Sequence, residues 1–327
     1  MRSTITRKSL GRIAATALAA AALVTATAGI AQAAAPAEAP AAPASGTAAV
    51  QEVGGTLYYV AGSSVRAWTP GQAPTVLFTA TGNIAGSASV SPDGRYLSYF
   101  VRGDAYPKQN LVVRDLTTGT EKVVYKGIVQ GGEICADTQW APDGSARVMT
   151  LTGYVEGKGY AARWFDAKTG KVTSTVHVRN CNEPRAALRA DGGFDIYQIE
   201  EGELVRTAPN GSRTILSAVN AGLQATLGEA LDNLSSVSRD GTRACVTVGW
   251  SNFIRPLECD VVVDTGTGEV LHQRTGDEPG TVKLLDDGTM LVDDGATVTH
   301  LSADGAVLAQ SAEPATLSSA NLLSHRG

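Results

Sequence analysis

This 327-residue sequence carries no G-x-S-x-G elbow, no H-E-x-x-H pair and no EF-hand loop. The hydrolase, zincin and EF-hand signatures are therefore missing. Cysteine is scarce (Cys135, Cys181, Cys245 and Cys259), and no C-x-x-C or Cys/His spacing suggests a zinc site. The four histidines do not cluster. His177, His272 and His300 fall singly in strand-like runs and His325 in the tail, so they read as surface or satisfied side chains, not a triad. Basic excess is lacking too: 27 Lys and Arg stand against 32 Asp and Glu, a net charge of −5. That balance argues against nucleic acid and anionic membrane as partners. Beyond the first 33 residues no apolar run is long enough to span a bilayer.

The N-terminus is of another kind. Arg2, Arg7, Lys8 and Arg12 precede a small-residue apolar stretch to about Ile30, and Ala31-Gln32-Ala33 is an A-x-A-like cleavage site. Residues 1–33 are expected to be a secretory signal peptide. Thr6-Arg7-Lys8-Ser9-Leu10 approaches a twin-arginine signal with Lys8 in the second position, which leaves the export route open. Losing four basic groups and no acidic ones moves the charge from −5 to −9. Residues 34–50 are Ala/Pro-rich without apolar period and read as a linker. Residues 51–327 remain for one folded domain. In a secreted chain an even cysteine count favours two disulfides.

Within that domain a corner recurs. Asp-Gly stands at Asp93, Asp143, Asp191, Asp240 and Asp287, in steps of 50, 48, 49 and 47. Asp and Gly suit tight hairpins, and a period near 50 in a β-rich sequence marks a radial array. An alternating run follows each corner, as in Tyr96–Phe100 and Ala244–Val248, and then a second hairpin turns at Thr118-Gly119, Thr169-Gly170 or Thr267-Gly268. Each unit thus holds four strands, here A to D. The first unit, from Gly55, lacks strand A, and residues 315–323 are left over. The expectation is an all-β, six-bladed β-propeller of four-stranded antiparallel blades, closed by the terminal strand. The Asp pairs 286–287 and 293–294, each before Gly, are expected to be turn residues.

The stretch SPDGRYLSYFV…NLVVRDLTTGTEKVV resembles the repeat of TolB-like six-bladed propellers, related to WD40-type repeats. That resemblance implies an envelope propeller that docks protein partners. The extra N-terminal α/β domain of TolB is not expected here.

The distances between corner and second-turn glycines are 25, 26 and 27 residues in blades 2, 3 and 5, against 16 to 19 elsewhere. With the long connections 126–137 and 217–234, the extra length falls on the face of the B–C and D–A loops. Arg102, Tyr106, Tyr154, Trp250, Phe253 and Arg255 there have the composition of binding hot spots. Cys245–Cys259 would pin the 250–256 loop, and Cys135–Cys181 would staple blades 3 and 4. No cofactor motif is present. Oxygens of Asp137, Glu183 and Asn233 at the entries to strand A could converge on Ca²⁺ in the channel. The expected function is a secreted, monomeric binding module that takes a protein, peptide or cell-wall glycan on its B–C and D–A loop face. The alternative is a Ca²⁺-dependent hydrolase or lyase of the lactonase-like propeller type.

Overall fold

Six four-stranded antiparallel sheets form among the described residues. The computed structural model describes residues 51–102, 108–129, 138–181, 184–249, 259–273, 281–285 and 287–327. They belong to a unit spanning Ala49–Gly327. The signal-peptide and linker expectations lie outside them.

Blade 1 contains β1 (Thr56–Ala61), β2 (Ser64–Trp68) and β3 (Thr75–Thr79). Blade 2 contains β4 (Ser89–Val90), β5 (Tyr96–Arg102), β6 (Lys108–Asp115) and β7 (Glu121–Val129). Blade 3 contains β8 (Thr138–Trp140), β9 (Arg147–Val155), β10 (Gly159–Asp166) and β11 (Val172–Val178). Blade 4 contains β12 (Arg185–Leu188), β13 (Phe194–Glu200), β14 (Glu203–Thr207) and β15 (Arg213–Ile215), followed by helix α1 (Ser217–Leu227). Blade 5 contains β16 (Leu231–Val237), β17 (Arg243–Val248), β18 (Val261–Asp264) and β19 (Val270–Gln273). Blade 6 contains β20 (Thr281–Leu284), β21 (Met290–Asp293), β22 (Thr297–Leu301) and β23 (Val307–Ala312). The last strand, β24 (Asn321–Arg326), pairs with β1 and completes blade 1, Tyr59 standing opposite Leu322. Closure occurs as expected, but residues 315–320 are turns and only the segment after them is strand.

The repeating corner has one cause. At all five, the Asp carboxylate accepts the N–H two residues on, at 2.9–3.0 Å, as with Arg95 N to Asp93. The Gly between them takes positive φ, +70° at Gly94 and +82° at Gly288. A side chain is disfavoured there on conformational grounds. At Gly94 it is excluded by packing as well, since a Cβ would meet the Tyr58 hydroxyl at 2.1 Å.

Strand alternation sends successive side chains to opposite faces, so each blade feeds two seams. Tyr58 packs toward blade 2 with Leu97 and Tyr99, whereas Tyr59 packs toward blade 6 with Leu291 and Val298. Six such clusters, one per seam, replace a single core.

The seam between blades 4 and 5 differs. β15 is only three residues long, and α1 takes the place of its continuation. Val219 and Leu223 of α1 are fully buried against Leu204, Val261 and Val263. Asn220 donates to Gly202 O at 2.6 Å and accepts from Leu231 N, tying the helix to both blades. The long connection 217–234 is therefore largely seam filling and strand, which corrects its assignment as a binding loop.

Candidate functional site

An inner strand of a propeller turns one edge toward the axis, where no further strand can satisfy its backbone groups. Here side chains of adjacent blades do so. Trp140 Nε1 donates to Ser89 O at 3.0 Å, joining blades 3 and 2. Gln139 spans blades 3 and 4 with two bonds: Nε2 donates to Ala186 O at 3.1 Å and Oε1 accepts from Ala186 N at 2.6 Å. Arg185, 5% exposed, donates from Nε to Ser235 O at 2.6 Å, joining blades 4 and 5.

These stitched strands enclose an axial funnel of about 700 Å³ to which all six inner strands contribute. At the A–B corners it is lined by Pro92, Pro142, Arg239, Asp287 and Arg326. Its described lining includes Arg185, Arg239, Lys283 and Arg326 with Asp287, and Arg185, Arg239 and Lys283 each engage further partners. Two histidines join them. His300 Nε2 pairs with Thr289 Oγ1 at 2.7 Å, and His325 Nε2 with Gly54 O at 2.8 Å. Burial lowers the His300 pKa, with Asp287 opposing this and His325 adding to it. Thr289 Oγ1 also bonds Asp287 Oδ1 at 2.6 Å, so this group reads as a satisfied turn network.

Of the connections that sequence lengths singled out, the described B–C hairpin of blade 3 lies on the face opposite the A–B corners. On that other face Tyr154 is 63% exposed and stacks edge-to-face on Tyr160, their rings 5.4 Å apart. The extra length in blade 3 is a longer hairpin: Tyr154 and Tyr160 pair across β9 and β10. The backbone of Arg102 pairs with Gln109. The side chain of Arg102 lies outside the described set, as do Tyr106, Trp250, Phe253 and Arg255. Asp137 and Glu183 of the Ca²⁺ expectation are outside it too. Asn233 sits on β16, half-buried, its Oδ1 accepting Leu234 N at 2.7 Å. Among the described residues no group of three His, Cys, Asp or Glu is placed to hold a metal.

Cys245 and Cys259 are bonded, both fully buried, with Cα atoms 5.4 Å apart. The register is not that of a symmetric hairpin about Asn252, because Cys245 pairs with Val262 and Cys259 reaches it from just before β18. Cys181 is buried and disulfide-bonded, while Cys135 lies outside the described residues. Arg185, Gln139 and Arg326 were not picked out from the sequence.

No protein-family model matches the chain, and no curated protein matches it. Among solved structures it is similar to TolB from Acinetobacter baumannii, at 18% identity and TM-score 0.49, over 84% of this chain and 64% of that one. It is also similar to the WD40 β-propeller domain of Doa1, at 15% identity and TM-score 0.45, over 80% and 79% of the two chains. A chain of the nidogen/laminin complex is similar at 8% identity and TM-score 0.46, over 80% and 99%. The chain thus spans less than two thirds of the TolB chain.

Proposed function

We propose that this protein is a secreted binding module, monomeric and without catalytic chemistry of its own, and that a carboxylate-bearing segment of its ligand enters the axial funnel. The observation that carries the reading is the axial recess of about 700 Å³ with the exposed Arg326 of the closing strand at its mouth. An exposed guanidinium at the mouth of a low-dielectric recess favours an anionic guest. The buried Cys245–Cys259 bond fits an oxidising compartment, in keeping with export.

The test is a thermal-shift screen of acidic peptides and acidic cell-wall fragments against wild type and Arg326→Glu. Arg326 is exposed at the rim, so the fold tolerates the change. A binder should raise the wild-type melting temperature and leave the variant unmoved; a hundredfold excess over Kd is worth about 2.7 kcal/mol. Equal shifts in both proteins would remove the funnel from the account. A shift that requires Ca²⁺ and vanishes with EDTA would favour the hydrolase or lyase alternative.

One observation favours a second reading, docking on the loop face: the exposed Tyr154 on its rigid hairpin. In that case Tyr154→Ala loses the ligand shift and Arg326→Glu keeps it.

A further inference from the structure

Two carboxyl groups meet at the seam between blades 6 and 1. Asp293 ends β21 and is 3% exposed, and Glu313 follows β23, partly buried. Asp293 Oδ1 accepts Gly295 N at 2.8 Å. The hydroxyl of Tyr59, itself fully buried on β1, donates to Glu313 Oε1. The other oxygen, Glu313 Oε2, is buried and meets no donor, and the Asp293 carboxyl lies within hydrogen-bonding reach of the Glu313 side chain. Two carboxylates so placed repel strongly when both are charged, so at neutral pH the pair holds one proton between them. Burial raises the Glu313 pKa, the Tyr59 bond opposes this, and Asp293 adds to it, with a result of about 8. Burial likewise raises Asp293. Burial and the adjoining Glu313 raise Tyr59 so far that it remains a donor throughout.

The remaining charges around the pair do not relieve it. Asp294, in the adjoining turn, adds negative charge. Arg66, opposite Tyr59 on β2, sends Nη1 to Thr316 O at 2.7 Å, the backbone of the closing segment.

Position gives the pair its consequence. Glu313 N donates to Ala296 O at 2.8 Å at the root of residues 313–320, which lead to β24. Leu317 of that segment is fully buried in the seam. β24 in turn supplies Leu323, Ser324, His325 and Arg326 to the funnel.

We infer that Asp293 and Glu313 form a proton-held latch on the segment that closes the ring. While they share a proton, blade 6 and the closing segment stay joined. When that proton passes to solvent above neutral pH, the two charges repel, residues 313–320 loosen and β24 follows. A carboxyl whose pKa is raised by folding contributes stability in full below its unfolded value and loses it as pH rises through the folded value, here about 8.

The test is amide hydrogen exchange on the full chain between pH 6 and 9.5, corrected for intrinsic rates. Going from pH 7 to pH 9 across a midpoint near 8 should raise opening of β24 about tenfold. The β5–β6 hairpin serves as reference and should not change. Glu313→Gln keeps an acceptor for Tyr59 and offers an amide donor to Asp293, so β24 protection should become flat over the range. Asp293→Asn should act alike. A wild-type β24 that tracks β5–β6 throughout, or a step that persists in Glu313→Gln, overturns the latch. If either variant fails to fold, the selective wild-type step alone decides.

Discussion

Gly222→Ala separates local from tertiary control of α1. Taken alone, the change favours the helix by about 1 kcal/mol, because Gly is the poorest helix former after Pro. The helix needs the help: Leu216 at its N-cap makes no side-chain bond, and its first turn has no acid. Packing points the other way. A Cβ on Gly222 would stand 1.9 Å from Gly268 O, and the reciprocal Cβ on Gly268 would stand 1.9 Å from Ala218 O. Both obstacles are backbone, and real Cβ contacts stay beyond 3.0 Å. The helix would have to retreat by about 1 Å from the blade 5 turn, dragging Val219 and Leu223 from a close-packed seam. Overpacking of this kind costs roughly 1–3 kcal/mol or more, and unseating part of two buried side chains adds about 1 kcal/mol. The net expectation is a loss of about 1–3 kcal/mol, or several degrees in Tm for a domain of this size. Guanidinium unfolding measures it, with the exposed Thr226→Ala on the same helix as control, which should gain a few tenths of a kcal/mol. If Gly222→Ala matches or exceeds wild type, α1 is not held by close approach to the Gly268 turn.

Two further outcomes follow from the bonds described. Replacing Cys245 and Cys259 together by Ser should cost roughly 3 kcal/mol in guanidinium unfolding, and reductant should then have a smaller effect on the variant than on wild type. Gln139→Ala leaves both backbone groups of Ala186 without their partner at the axis. It should cost about 1–2 kcal/mol in the same assay, whereas Gln139→Glu, which keeps only the acceptor, should recover part of the loss.

The frame was legible because one residue pair per unit, Asp-Gly, is demanded by a backbone conformation that few others adopt. Blade 1 was legible through its incompleteness, since β1 to β3 needed a partner that only the end of the chain could provide. Helix α1 was readable in principle. Leu216, Val219, Leu223 and Leu227 fall on one helical face, and Gly228 ends it in the left-handed region at φ +69°. Long spacing between strands suggested a loop instead, since length alone does not distinguish filling from protrusion. The blade 3 insertion misled in the same way: Tyr154 to Tyr160 is a tight hairpin, and the alternation in its sequence is weak because Gly153, Gly157 and Gly159 interrupt it. The funnel was least accessible. Gln139, Arg185 and Arg326 lie 46 and 141 residues apart in succession, and nothing local marks them; they converge only because each begins, lies within or ends an innermost strand.

The mending of blade 1 also sets an order of events. Blades 2 to 6 each draw their strands from one continuous stretch of 31 to 43 residues, so each can assemble as soon as that stretch is available. β1 waits for β24, across more than 250 positions of sequence. Until then Leu57 and Tyr59 have an open edge and an unfilled seam beside them. Contacts of such long range are slow to form. The first strand made is thus the last one satisfied, and a chain halted short of Asn321 would present an unprotected strand to its neighbours.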